Sequence, residues 1–157
     1  MPALTKWDWR FLDLVKRVAS WSKDPNTKMG CLIVSSDRRH VSWGYNGFPE
    51  GIADNSRLMD RDLKRQMMEH SERNCVYNCP FEPRDYNCTA YITGQPCIDC
   101  AKALMAKQIR RVVCLEHPFI ERWRANMELA ESMLKEVGTD ITYVGHDREI
   151  TDDLMGV

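Results

Sequence analysis

At 157 residues the chain has the length for one domain with a substantial core and too little for two. Hydrophobic residues are 43% and charged residues 29%, ordinary for a soluble globular protein, and no apolar run approaches the roughly 18 residues of a membrane span. A net charge of −1 offers no basic excess for a polynucleotide, and the polar stretch from Met1 to Arg10 has no secretory core, so a small substrate and the cytoplasm are expected.

Trp7 to Trp21 carries Trp7, Phe11, Leu14, Val15, Val18 and Ala19 at spacings of three and four, which predicts an amphipathic helix ending ahead of Pro25. Met29 to Val34 and His40 to Tyr45, on either side of a polar turn, read as the two strands of a hairpin. Asn46 to Gly51 is loop chemistry. Arg57 to Cys79 is mostly helical, with a break or a fresh helix start just before His70. Cys79 to Asn87 holds Pro80 and Pro83 and reads as a connecting loop. Cys88 to Thr93 is a strand, Cys97 to Lys107 a helix with the cysteine pair at its N-terminus, and Arg111 to Leu115 another strand. Pro118 to Val137 is a helix that Gly138 stops. Asp140 to Val144 is a last strand, and His146 to Val157 a polar tail without clear structure. The order α-β-β-α-β-α-β-α-β predicts an α/β protein with a mixed sheet between helices, one domain over 1–157.

Seven cysteines stand at 31, 75, 79, 88, 97, 100 and 114, and an odd count argues against a disulfide framework. Cys75, Cys79 and Cys88 find no histidine at ligand spacing, so small buried apolar roles are expected rather than a second metal. The chemistry concentrates in His70-Ser71-Glu72 and Pro96-Cys97-Ile98-Asp99-Cys100. His70, Cys97 and Cys100 supply three zinc ligands and leave a fourth position open, the arrangement of a catalytic rather than a structural site. Cys97 and Cys100 are three apart, so the first turn of one helix aims both sulfurs the same way, and a helix N-terminus favours thiolates. Glu72 is not needed to hold metal; it stands where a proton shuttle is wanted. The combined pattern H-x-E…P-C-x-x-C is the general signature of zinc-dependent nucleobase deaminases. A surface His–Glu pair, a structural zinc site or a redox C-x-x-C would each explain one fragment. The redox reading wants its motif after the first strand, and here it follows the third. A zinc-stabilised interaction module without activity is the non-enzyme alternative, and it has no use for Glu72.

These residues resemble the cytidine and deoxycytidylate deaminase family, most closely its dCMP deaminase branch. Trp7-Asp8 with Phe11, Ser22-Lys23-Asp24-Pro25 followed by Lys28-Met29-Gly30, Gly44-Tyr45-Asn46-Gly47-Phe48-Pro49, His70-Ser71-Glu72-Arg73-Asn74, and Thr93 with Pro96-Cys97 to Cys100-Ala101 are each similar to that branch's segments. The resemblance implies a three-layer α/β/α fold with a five-stranded sheet. It implies Zn2+ and hydrolytic deamination of dCMP to dUMP, with zinc-activated water attacking C4 and Glu72 carrying the protons. It further implies Asn46 at the deoxyribose, Asp24 and Lys23 near the sugar or phosphate, and homo-oligomers, often hexamers. The backbone N–H of Ser71 is expected to reach the base. Ser71 departs from the usual alanine and adds a hydroxyl, and Ile52 replaces a cysteine that some members use for a second zinc. A 5-modified dCMP, a free nucleoside or a tRNA base are the alternative substrates. Mild acidity disfavours RNA, and the S-K-D-P segment disfavours the nucleoside.

Overall fold

The computed structural model describes residues 3–118 and 121–157. Helix α1 (Lys6–Ala19) begins one residue before Trp7 because Thr5 and Asp8 cap each other: the Asp8 N–H donates to the Thr5 hydroxyl at 3.2 Å and the Thr5 N–H to the Asp8 carboxylate at 2.8 Å. It ends before Trp21 because the Trp21 and Ser22 amides tighten onto the carbonyls of Val18 and Ala19.

Strands β1 (Gly30–Val34) and β2 (Val41–Tyr45) form the expected hairpin. The charged stretch after the following loop divides into a 3-10 turn (Ser56–Met59), α2 (Arg61–Met67) and α3 (Ser71–Tyr77). The break before His70 has a cause: Glu69 and Gly47 exchange backbone hydrogen bonds as an isolated antiparallel bridge, which holds the chain extended there. The stretch Cys79 to Asn87 contains a 3-10 turn at Pro83–Asp85, and then follow β3 (Thr89–Ile92), α4 (Ile98–Ala106) and β4 (Arg111–Glu116). Helix α5 (Glu121–Glu136) and β5 (Asp140–Gly145) complete the sheet. The helix expected from Pro118 falls partly outside the described residues, at 119–120.

The sheet runs β2-β1-β3-β4-β5, with β1 antiparallel to β2 and β3, and β3, β4 and β5 parallel. Alternating residues divide between two cores. Leu32, Val34, Tyr91, Val113, Leu115 and Val144 pack under Phe11, Leu12, Val15 and Val18 of α1. Cys31, Ile33, Ala90, Ile92, Val112 and Cys114 face the other way, against Cys75 of α3, Leu104 of α4 and Leu134 of α5. The three layers α/β/α are therefore present.

The tail reading of 146–157 requires correction. Ile150 packs on the α1 core, and a single helical turn, α6 (Asp152–Met155), docks beside α1, where Arg10 Nε donates to the Met155 carbonyl at 2.8 Å. Gly156 closes that turn at φ 69°, a left-handed angle that glycine adopts without strain. A four-residue turn has no periodicity to read; it exists because α1 offers it a surface.

Candidate metal and catalytic centre

Two of the metal-ligating candidates are the residues that open helices. His70 is the N-cap of α3 and Cys97 the N-cap of α4, both in extended backbone, and neither side chain is used in capping its own helix. Their side chains are thus free to turn toward each other. Helix α3 can approach the sheet because β2 carries Gly44: a Cβ there would sit 2.3 Å from the Cys75 nitrogen and 2.5 Å from the Ser71 carbonyl oxygen. Ser42 and Cys75 then lock the contact, the Ser42 hydroxyl donating to the Cys75 carbonyl at 2.8 Å. Helix α4 follows β3 directly, so the strand end delivers Cys97 and Cys100 to the same place.

His70 Nδ1 lies 3.5 Å from Cys97 Sγ and 3.4 Å from Cys100 Sγ, and the three ligand atoms all fall within 4.8 Å of one another. Tetrahedral zinc with ordinary Zn–N and Zn–S bonds separates a nitrogen from a sulfur ligand by about 3.6 Å. The observed spacing fits that edge, and one imidazole with two thiols is a zinc donor set. Without metal, a hydrogen bond from Cys100 pulls the Cys97 thiol down to about 4, helped by His70 and opposed by burial. Cys100 is pushed up by its bond to Cys97 and by burial, while the bond to Cys97 raises His70. A thiol lowered in this way favours the thiolate form that binds a cation.

Glu72 is 5% exposed, and burial holds its carboxyl above the ordinary value against bonds from Cys100 and Ser71 that lower it. The hydroxyl that Ser71 adds donates to Glu72 Oε1 at 2.9 Å. At the rim, Arg73 pairs with Glu69 and lies 3.8 Å from Asp99.

The remaining site residues form a second constellation. Asn46 is buried; its Oδ1 accepts from the Met29 N–H at 2.8 Å and its Nδ2 donates to the Thr27 carbonyl at 2.9 Å. Asp24 is buried too and accepts from Lys64 Nζ at 2.8 Å and from the Asn26 and Thr27 amides. Lys23 points outward, its side chain 70% exposed, and pairs with Asp54 at 3.1 Å. Lys64 is the residue that the sequence did not offer: one lysine in a charged run, with no spacing to mark it as buried. Among the described residues, His70, Cys97 and Cys100 are the group able to hold a metal; Cys75 and Cys79 donate to the carbonyls of Ser42 and Phe81 instead.

A mixed sheet between helices, with a His–Cys–Cys trio at a strand end and a buried carboxyl beside it, has the build of a zinc-dependent deaminase. The model of the cytidine and deoxycytidylate deaminase zinc-binding region matches residues 5–116, well over half the chain. An uncharacterized deaminase in the luxG 3′ region of Aliivibrio fischeri is 32% identical over 147 residues, 92% of this chain and 97% of that protein. A probable deoxycytidylate deaminase of Caenorhabditis elegans is 36% identical over 126 residues, 78% of this chain and 64% of that protein. Among solved structures, the dCMP deaminase of cyanophage S-TIM5 in complex with dCMP and dUMP superposes with a TM-score of 0.74 at 16% identity, covering 91% of this chain and all of that one. The chain belongs to the cytidine and deoxycytidylate deaminase family, and its metal is zinc.

Proposed function

We propose that the chain hydrolyses dCMP to dUMP and ammonia. What carries this is Glu72, a buried carboxyl sealed beside the metal trio, in a chain whose relatives include deoxycytidylate deaminases. His70, Cys97 and Cys100 would hold the zinc. When bound, the metal supplies a Lewis acid that brings the pKa of water toward about 7. Glu72 takes the proton of the attacking water, delivers it to N3 of the cytosine ring, and returns a proton to the departing 4-amine. Oxygen is gained at C4 and nitrogen is lost, with no change of oxidation state. The hydroxyl of Ser71 holds Glu72 in orientation, and its backbone N–H reaches the base.

Asn46 borders the deoxyribose with the Oδ1 lone pair that Met29 leaves. Asp24 acts on the sugar side through Asn46 and Lys64, and Lys23 stays at its solvent edge. Assembly into a homo-oligomer belongs to the same reading. Its support is Trp21, Trp43 and Tyr45, which are exposed together at the edge strand β2 with ring centroids 6.0–6.2 Å apart. Free cysteines throughout support work in the reducing cytoplasm, and no helix among the described residues is long and apolar enough to cross a membrane. An ammonia-release screen over dCMP, dCTP, deoxycytidine and 5-methyl-dCMP, with light scattering on the same sample, tests the reading. Preference for dCMP is the expected result; preference for the free nucleoside overturns it.

A further inference from the structure

Parallel α/β sheets bind ligands outside the carboxyl ends of their strands, and here those ends carry a cationic cleft. Thr93 follows β3, His117 follows β4 and His146 follows β5, and with Lys16 of α1 and Lys28 they line a cleft of about 470 Å³. No carboxylate lines it, and neither do Glu72, His70, Cys97 or Cys100. The cleft is open on the α1 side of the sheet, whereas the metal trio belongs to α3 and α4 on the other side.

The charges in it are unspent. Of the chain's eight lysines, Lys23, Lys64, Lys102, Lys107 and Lys135 have carboxylate partners. Among the described residues Lys6, Lys16 and Lys28 have none, and two of those three face this cleft. Lys28 spends one donor on the Ser22 carbonyl and keeps the others. Two of the four histidines are here as well. His117 directs Nδ1 at the Pro118 carbonyl, 3.2 Å away, which leaves Nε2 for the cleft. Two lysines without carboxylate partners, set beside two imidazoles in an open cleft that no acid lines, suit a multiply charged oxyanion.

We propose that this cleft binds a phosphate group, with Lys16 and Lys28 as its charged contacts. The phosphate is either the substrate's own 5′-group or that of a separate phosphate-bearing ligand. The cleft does not depend on the deamination reading, because its probe is inorganic phosphate and its readout is not activity.

The test titrates inorganic phosphate into the zinc-loaded full chain and follows backbone amide shifts at Lys16, Lys28, Thr93 and His117. Saturable shifts are expected, weakened by about tenfold or more in the Lys16→Met/Lys28→Met variant. Lys6→Met removes an unpaired lysine elsewhere and should leave them unchanged. Competition between phosphate and dCMP, with KM for dCMP but not for deoxycytidine raised in the double variant, identifies the substrate's own phosphate. Phosphate binding without competition identifies a separate ligand. No saturable shift, or equal binding by wild type and the double variant, overturns the site. Loss of deamination in all forms with phosphate binding intact counts against the substrate reading alone.

Discussion

Glu72 and its neighbour Ser71 show how much a single side chain can carry. The cost of charging the buried carboxyl of Glu72 holds it above its ordinary value, the direction that the proposed shuttle role calls for. Glu72→Gln keeps the shape and keeps an oxygen to accept from Ser71, but it has no exchangeable carboxyl proton. Deamination should fall by about 100-fold or more, with zinc content by metal analysis unchanged. Cys97→Ala on the same assay should lose zinc and stability together, since metal binding and folding are linked. Zinc retained at full occupancy in Cys97→Ala would remove that residue from the ligand set.

At the scale of elements, helix α2 is held to the rest of the protein by one buried ion pair. Helix α2 is short and polar, and Lys64 is its one buried residue. Lys64 Nζ spans to Asp24 at 2.8 Å and to Asn26 Oδ1 at 2.7 Å, linking α2 to the loop that also supports Asn46. Burial alone would raise the Asp24 carboxyl, but Lys64 and the Asn26 and Thr27 amides hold it lowered. Lys64→Met leaves that carboxylate buried without its partner and should cost about 3–5 kcal/mol in urea unfolding. Adding Asp24→Asn should restore a substantial part; a double variant as unstable as the single one would mean that packing, not charge, holds α2. This pair also marks where sequence legibility stops. The strands and the trio were readable because each rests on local pattern: apolar runs, a proline, a cysteine pair at helical spacing. The Asp24–Lys64 contact joins residues 40 apart through a lysine that looks like its exposed neighbours. Docking of α6 and the Glu69–Gly47 bridge were hidden for the same reason, being set by tertiary surfaces and not by period.

Across the whole molecule, Asp8 ties the first helix to the middle of the sheet. Its carboxylate accepts from Tyr91 of β3 at 2.7 Å and from both terminal nitrogens of Arg111 of β4 at 2.8 and 3.1 Å, while it caps α1 through Thr5. The pair with Arg111 closes a loop of 103 residues, so it forms only when α1 has docked. Burial by itself would raise Asp8, but Arg111, the Thr5 amide and Tyr91 outweigh it and hold the carboxyl below the ordinary value of 3.8. A lowered folded-state pKa means that the unfolded chain takes up this proton first. The stabilisation is therefore complete above that ordinary value and is lost as pH falls through the folded-state value. Acid also strips zinc, so the wild-type curve alone mixes two effects. The difference between wild type and Asp8→Asn, both zinc-loaded, cancels the metal contribution. That difference should be about 1–3 kcal/mol in favour of wild type at neutral pH, set by the lost charged hydrogen bonds. It should shrink in acid as Asp8 itself protonates. A gap that stays constant from neutral pH down to the acid transition would show that Asp8 contributes shape and capping only, and that α1 is held to the sheet by its apolar face alone.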